Sequence, residues 1–316
     1  MVIEELEQAW QRRQALLAEL REQSTQAYRL LDAEWDRVPG LVVEVFGPTA
    51  VFQWFEGRCD YAAEELISAA QWCVVNAGIS QVYFKKFVAD RSGEMPEEAL
   101  KDPKPFFGAA SAPEFEIQEN GRKFLIHPYD GFSVGLFLDQ RNNREALAQL
   151  GAKRVLNLFS YTCAFSIYCA TTGAETTSVD VSKKYLEWGR KNLAANGIAP
   201  EGHRFFQTDA RVFLEKAAKK GEKYDLVIVD PPSFGRAKKG KPFSLRKDLE
   251  GLLGLVRAVT APGAAVYVSA NLSQWSQKEF EALVARGLGQ GKALPLPKLP
   301  SDFGGDPITY QLVRLR

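Results

Sequence analysis

The sequence predicts an α/β protein, with a doubly wound, mainly parallel sheet that follows a smaller α+β domain and a β-hairpin. Three observations predict it. From about residue 141 short apolar, β-branched runs alternate with helical periodicities, the pattern of a parallel sheet covered on both faces. The strand candidates of that region run into polar residues, including Asp180, Asp209 and Asp230. A stretch carrying Pro96, Pro103, Pro105 and Pro113 with mixed charge separates it from an N-terminal part patterned differently.

Taken in order, Ile3, Leu6, Trp10, Leu17 and Leu20 recur at helical spacing among charged residues, so a docking helix is expected up to about Leu31. Leu41–Phe46 and Ala50–Phe55 read as strands joined at Gly47-Pro48, Tyr61–Ala77 as a helix and Gln81–Phe87 as a further strand. Glu114–Gln118 and Lys123–His127 flank Glu119-Asn120-Gly121, where Asn-Gly supplies the two positive-φ positions of a type I′ hairpin turn. The expected strands then are Arg154–Phe159, Thr176–Val181, His203–Thr208, Tyr224–Asp230 and Ala264–Ser269. The expected helices are Phe165–Thr172, Lys183–Asn196, Ala210–Lys220, Ser244–Val259 and Gln277–Arg286. The expected domains are an amphipathic helical segment at 1–35, a small α+β domain with linker at 36–112, and a hairpin plus catalytic domain at 113–316.

Composition excludes several classes. The 316 residues are 46% hydrophobic and 25% charged, enough apolar material for a packed core and too much for a disordered chain. Forty basic against 39 acidic residues leave a net charge of +1, so nucleic-acid contact must come from a local patch. Cys59, Cys73, Cys163 and Cys169 form no C-x-x-C pair and there are two histidines, so no metal cluster is expected. Reduced thiols, an acidic N-terminal stretch and no long apolar run point to the cytoplasm and away from a membrane. Nothing in the sequence sets the oligomeric state.

In a doubly wound sheet the ligand lies beyond the carboxyl ends of the strands, where strand order reverses. Those ends read Asn157-Leu-Phe-Ser-Tyr-Thr162, Asp180, Asp209 and Asp230-Pro-Pro-Ser-Phe234. An acid closing the second strand is placed for both hydroxyls of a ribose. No G-x-G-x-x-G follows the first strand, which disfavours a dinucleotide and suits a nucleoside without phosphates. Asp209 is expected either to accept from an adenine amino group or simply to cap the helix starting at Ala210. Pro231 and Pro232 fix φ and carry no N–H, so Asp230 and the Pro231 carbonyl make an acceptor edge while Phe234 offers a stacking face.

With those motifs, Val179-Asp-Val-Ser182, Tyr185-Leu-Glu-Trp-Gly-Arg-Lys-Asn-Leu193 and Gly135-Leu-Phe-Leu-Asp-Gln-Arg141, the chain resembles the class I methyltransferases that act on bases of bacterial large-subunit (23S) rRNA, a group with cytosine-C5 and guanine-N7 enzymes. The resemblance extends from Val38-Pro-Gly-Leu-Val-Val-Glu-Val-Phe-Gly47 onward, and lacks the PUA domain with which most relatives begin. It implies a Rossmann-like methyltransferase sheet and S-adenosylmethionine as cofactor. The implied cofactor residues are Phe137, Asp139, Arg141, Asn157, Phe159, Ser160, Tyr161, Thr162, Asp180, Ser182, Asp209 and Ala210, with the target base at Asp230, Pro231, Pro232, Ser233 and Phe234.

Cytosine C5 needs a cysteine thiolate added at C6 before it becomes nucleophilic enough. The two places where C5 enzymes carry that thiol read Pro232-Ser233 and Ser269-Ala-Asn-Leu272 here, without cysteine. A guanine nitrogen, N7 or N2, is therefore the expected acceptor. Ser269-x-Asn271 and Ser301-Asp-Phe303 also resemble the guanine-N7 branch. The run Gly235–Lys247 holds Arg236, Lys238, Lys239 and Lys241 and no acid, and is expected to contact RNA phosphates. The alternatives are a cytosine-C5 enzyme, a small-molecule methyltransferase and a non-catalytic RNA-binding factor.

Overall fold

The computed structural model of the chain describes residues 2–55, 57–58, 61–87, 104–109, 112–130, 133–232, 243–271, 275–304 and 308–315. They fall into two compact units, Met1–Arg141 with Leu299–Asp306, and Asn142–Lys298 with Pro307–Arg316. The division lies at 141/142 and not at the expected 112/113.

The first unit contains α1 (Val2–Arg12), α2 (Gln14–Glu22), β1 (Ala27–Asp32), β2 (Leu41–Phe46), β3 (Thr49–Phe55), α3 (Ala63–Asn76), β4 (Gln81–Phe87), β5 (Phe107–Gly108), β6 (Phe115–Glu119) and β7 (Arg122–Ile126). Strands β1 to β5 form one sheet in chain order. Its one parallel pair, β3 with β4, is connected through α3. The single N-terminal helix is corrected to two helices and a strand. Ser24 turns the chain with φ +51°, and Ala27–Asp32 pairs antiparallel with β2. Tyr28, Leu30 and Leu31 suit either periodicity; pairing with a strand that is buried along its whole length decides it. Leu6, Ala9, Leu17 and Leu20 share one core with Val43, Phe52 and Ala70, so residues 1–35 are integral to this unit and not a separate segment. In the hairpin β6–β7 Asn120 and Gly121 take φ +49° and +73°, as the turn requires.

The second unit contains α4 (Arg141–Ala148, its first residue in the other unit), β8 (Arg154–Leu158), α5 (Ala164–Thr171), β9 (Glu175–Asp180), α6 (Lys183–Ala195), β10 (Arg204–Gln207), α7 (Ala210–Lys219), β11 (Tyr224–Val229), α8 (Leu245–Val259), β12 (Thr260–Asn271), α9 (Gln277–Leu288), β13 (Gly291–Leu294) and β14 (Ile308–Leu315). The sheet order is β10-β9-β8-β11-β12-β14-β13, all parallel except β14, which runs antiparallel to both neighbours. Val227 and Val229 face a core with Leu214, Leu249, Val256 and Phe280, whereas Leu226 and Ile228 face one with Leu147, Phe165 and Cys169. Helices thus cover both faces, which is why β11 reads as unbroken apolar sequence. The chain winds outward from β8 to β10 on one side and from β11 to β12 on the other, so the order reverses between β8 and β11.

Candidate cofactor and base site

At that reversal the loop after β8 turns without glycine. Phe159, Tyr161 and Cys163 take φ +56°, +47° and +64°, and such left-handed non-glycine residues persist only where surroundings hold them. Ser160 N–H donates to the Val179 carbonyl at 3.0 Å, and Cys163 N–H to the Ser160 carbonyl at 2.7 Å. Asn192 of α6 donates to the Thr162 carbonyl at 3.2 Å. Gly189 leaves room for Cys163, since a β-carbon there would overlap the thiol. The Tyr161 ring meets Tyr185 edge-on at 4.5 Å and Trp188 at 6.3 Å, both from α6.

Asp180 closes β9 and knits this loop to α6. Tyr161 N–H donates to its Oδ2 at 2.9 Å and Ser182 N–H to its Oδ1 at 2.8 Å. Burial pushes its carboxyl above the usual range against those backbone donors. A carboxylate has about four acceptor sites, so capacity for a ribose hydroxyl remains beside the backbone donors. Ser182 caps α6 by accepting from Tyr185 N–H at 3.3 Å.

Several expected ligands have other tasks. Asn157 is 1% exposed and donates to Ser166 Oγ at 2.9 Å, which in turn bonds Ser178 Oγ at 2.8 Å. Its side chain therefore ties β8, α5 and β9 together and is not turned to a ligand. Asp209 caps α7 through Arg211 N–H at 2.8 Å and forms two bonds with the Arg211 guanidinium, at 3.0 and 2.9 Å. That hydrogen bonding holds its carboxyl below the usual range. The Ala210 methyl is in the core, leaving only its backbone available. In the first unit Phe137 is 51% exposed and Asp139 half-buried, but Arg141 is buried. Its guanidinium grips Asp302 at 2.8 and 3.3 Å and lies 3.9 Å from Glu119, so the expected ligand Arg141 is a structural anchor.

At the tip of β11, Asp230 accepts from the Ser269 hydroxyl, because parallel pairing of Val229 with Val268 brings the next residues side by side. Burial pushes the Asp230 carboxyl up, while Ser269 and the buried Arg144 of α4 act the other way. Pro231 is buried and Pro232 exposed. Ser233, Phe234, Arg236, Lys238, Lys239 and Lys241 lie outside the described residues. Cys163 is fully buried and its thiol is pushed up to about 11 by burial; Cys169 is buried in α5.

These residues fit a nucleoside cofactor. Asp180 offers paired acceptors, Val181 beside it is an exposed apolar surface at 54%, and the loop contains bulky residues where a pyrophosphate would need glycine. Tyr185, Trp188, Gly189, Asn192 and Arg144 were not anticipated as supports of the site. Aromatic residues three apart in the helix after the closing acid were the available signal for the first two.

A sequence family described as S-adenosylmethionine-dependent methyltransferase matches residues 102–277, more than half of the 316-residue chain. Ribosomal RNA large subunit methyltransferase I of Aeromonas salmonicida (strain A449) is 30% identical over 297 residues, covering 92% of this chain and 72% of that protein. YwbD of Bacillus subtilis (strain 168) is 35% identical over 267 residues, covering 83% of this chain; the chain spans 65% of that relative's length. The solved structure of SMU.776, complexed with SAH, matches with a TM-score of 0.87 at 26% identity, covering 99% of this chain and 81% of that one. The strand-end acids and the glycine-free turn after β8 thus sit in a chain that belongs to the S-adenosylmethionine-dependent methyltransferase family, among the relatives of the ribosomal RNA large-subunit methyltransferases.

Proposed function

We propose that this protein methylates a base of RNA, with large-subunit (23S) rRNA as substrate, at a guanine nitrogen, N7 or N2, and without a cysteine adduct. One observation carries the choice of atom: Ser269, not a thiol, stands against Asp230, and Cys163 of the loop after β8 is buried with its thiol pushed up to about 11. A thiol so protonated is a poor nucleophile at neutral pH.

S-adenosylmethionine bound at the β8 and β9 tips would supply an electrophilic methyl group that already carries its leaving group. Asp180 anchors the ribose, the 159–162 loop and Ser182 shape its surroundings, and Asp209 with the Ala210 backbone borders the adenine. Phe137 and Asp139 complete the cofactor residues. Asp230 and the Pro231 carbonyl accept from base N–H groups, with Pro232, Ser233 and Phe234 beside them. Guanine N7 has a lone pair and no proton to lose, so alignment and exclusion of water suffice there; N2 methylation additionally requires Asp230 to take an amino proton. Arg236, Lys238, Lys239 and Lys241 contact phosphates. An rRNA substrate places the reaction in the cytoplasm. Among the described residues no helix is long and apolar enough to cross a membrane.

The test is transfer of labelled methyl to bulk rRNA, free and in ribosomal particles, from a strain lacking the gene, followed by nucleoside mass spectrometry. Methylguanosine is expected. Methylcytidine would overturn the chosen atom, and no transfer despite tight cofactor binding would favour a small-molecule acceptor or a non-catalytic RNA-binding role.

A further inference from the structure

Within the first unit, the turn between β1 and β2 presents an aromatic ring among cations. Trp35 is 46% exposed. One side of its ring is seated on Gly304, where a β-carbon would overlap it, and the buried Arg13 guanidinium lies 5.1 Å from its centroid. Arg13 is held in turn by Asp36 at 2.7 Å, so the ring is fixed in place while almost half of the residue stays exposed. Two residues on, Arg37 is exposed, its guanidinium has no partner among the described residues, and its backbone takes φ +61°. A left-handed turn favours glycine or asparagine, so an arginine there trades strain for a side chain aimed at solvent. Arg58 is brought to the same turn by its β-carbon's approach to Gly40 and by a 3.0 Å pair with Glu34 in which both side chains are more than half exposed. Such a surface pair holds weakly and yields to a stronger anion.

We infer that Trp35, Arg37 and Arg58 form a docking surface for single-stranded RNA, one base stacking on Trp35 while Arg37 and Arg58 meet flanking phosphates. A firmly held, part-exposed aromatic ring beside solvent-exposed guanidinium groups is the chemistry that binds unpaired nucleotides irrespective of sequence. The assignment rests on the RNA reading above and adds a contact distant in sequence from the strand-end motifs.

The test uses the full chain and a fluorescein-labelled single-stranded RNA 12-mer, titrated at several salt concentrations. Trp35→Ala should weaken binding about 10-fold, and Trp35→Phe should restore most of it, since either ring stacks. Arg37→Gly relieves the turn while removing the charge; it should weaken binding several-fold and lower the salt slope by about 0.7. SAH affinity should stay at the wild-type value in each variant, and Arg37→Gly should melt no lower than wild type because it relieves the turn. Wild-type affinity in both Trp35→Ala and Arg37→Gly would overturn this surface while leaving RNA methylation standing. Absence of salt-dependent RNA binding by the wild-type protein would overturn the RNA reading itself, and this surface with it.

Discussion

Ser269 donates its hydroxyl to Oδ1 of Asp230 across the paired strands β11 and β12. The bond leaves Asp230 with its other oxygen for a substrate donor and makes the carboxylate's position depend on the strand register. Burial sets a conflict between stability and function that the bond only partly relieves, because Asp230 is hard to ionise in the fold.

The first prediction follows from that conflict. An acid whose folded pKa is raised destabilises the fold wherever its charge is present, at pH above its unfolded value. Asp230→Asn keeps an oxygen for Ser269 and removes the charge. It should therefore hold or raise stability at pH 7 by about 1 kcal/mol, while lowering methyl transfer about 100-fold. Denaturant unfolding at pH 7 and pH 4 checks the sign: the stability gain should shrink as pH falls, because the raised carboxyl of folded wild-type Asp230 takes up its proton before the unfolded chain does. A variant that is destabilised yet active would reverse the assignment.

Asp180→Ala should act on the cofactor. It removes the acceptor of Tyr161 and Ser182 N–H groups together with the proposed ribose contact. Loss of charge-assisted hydrogen bonds of this kind is worth about 1.5–3 kcal/mol, so SAH affinity measured by calorimetry should fall about 10- to 100-fold. Unchanged affinity would exclude a ribose role.

Cys163 and Gly189 make a linked pair. A β-carbon at Gly189 would overlap the Cys163 thiol, so Gly189→Ala should destabilise by about 1–3 kcal/mol. Adding Cys163→Ala should recover part of that, which a double-mutant cycle measures. Cys163→Ala alone should retain full transfer, and the wild-type thiol should resist alkylation at pH 7. Loss of activity in Cys163→Ala with its stability intact would revive the covalent C5 route.

Much of the second unit was legible because its strands are buried on both faces and its helices are amphipathic. From β8 to α9 the expected boundaries fall within a few residues of the observed ones. The antiparallel β13 and β14 escaped notice: β13 is four residues long without alternation, Pro295, Pro297 and Pro300 lie between the two strands, and in β14 the alternation of Ile308, Tyr310 and Leu312 breaks at Val313. Site residues failed in a different way. Asn157 sits at a strand tip, but side-chain parity puts it on the face of Val155, towards α5. Arg141 ends a motif of the resembled family, but its partner Asp302 lies 161 residues away, a relationship no local spacing reveals.

Asp36 tests how the first unit holds its N-terminal helices. It is fully buried and takes Arg13 in two bonds, at 3.1 and 2.7 Å, and Arg12 in one at 2.6 Å. Burial opposes its charge, yet the Arg13 and Arg12 hydrogen bonds outweigh that and hold its carboxyl below the ordinary 3.8. An acid whose folded pKa is depressed stabilises fully above its unfolded pKa, and that stability disappears as pH falls through the folded value, here below 3.8. Asp36→Asn leaves Arg13 buried without its counter-charge, which should cost about 3 kcal/mol at pH 7. Urea unfolding should show this deficit undiminished down to about pH 5 and narrowing below pH 3.8, as wild-type Asp36 itself becomes protonated. A deficit that stays constant through that window would mean that shape and packing, not the carboxylate charge, make the residue matter.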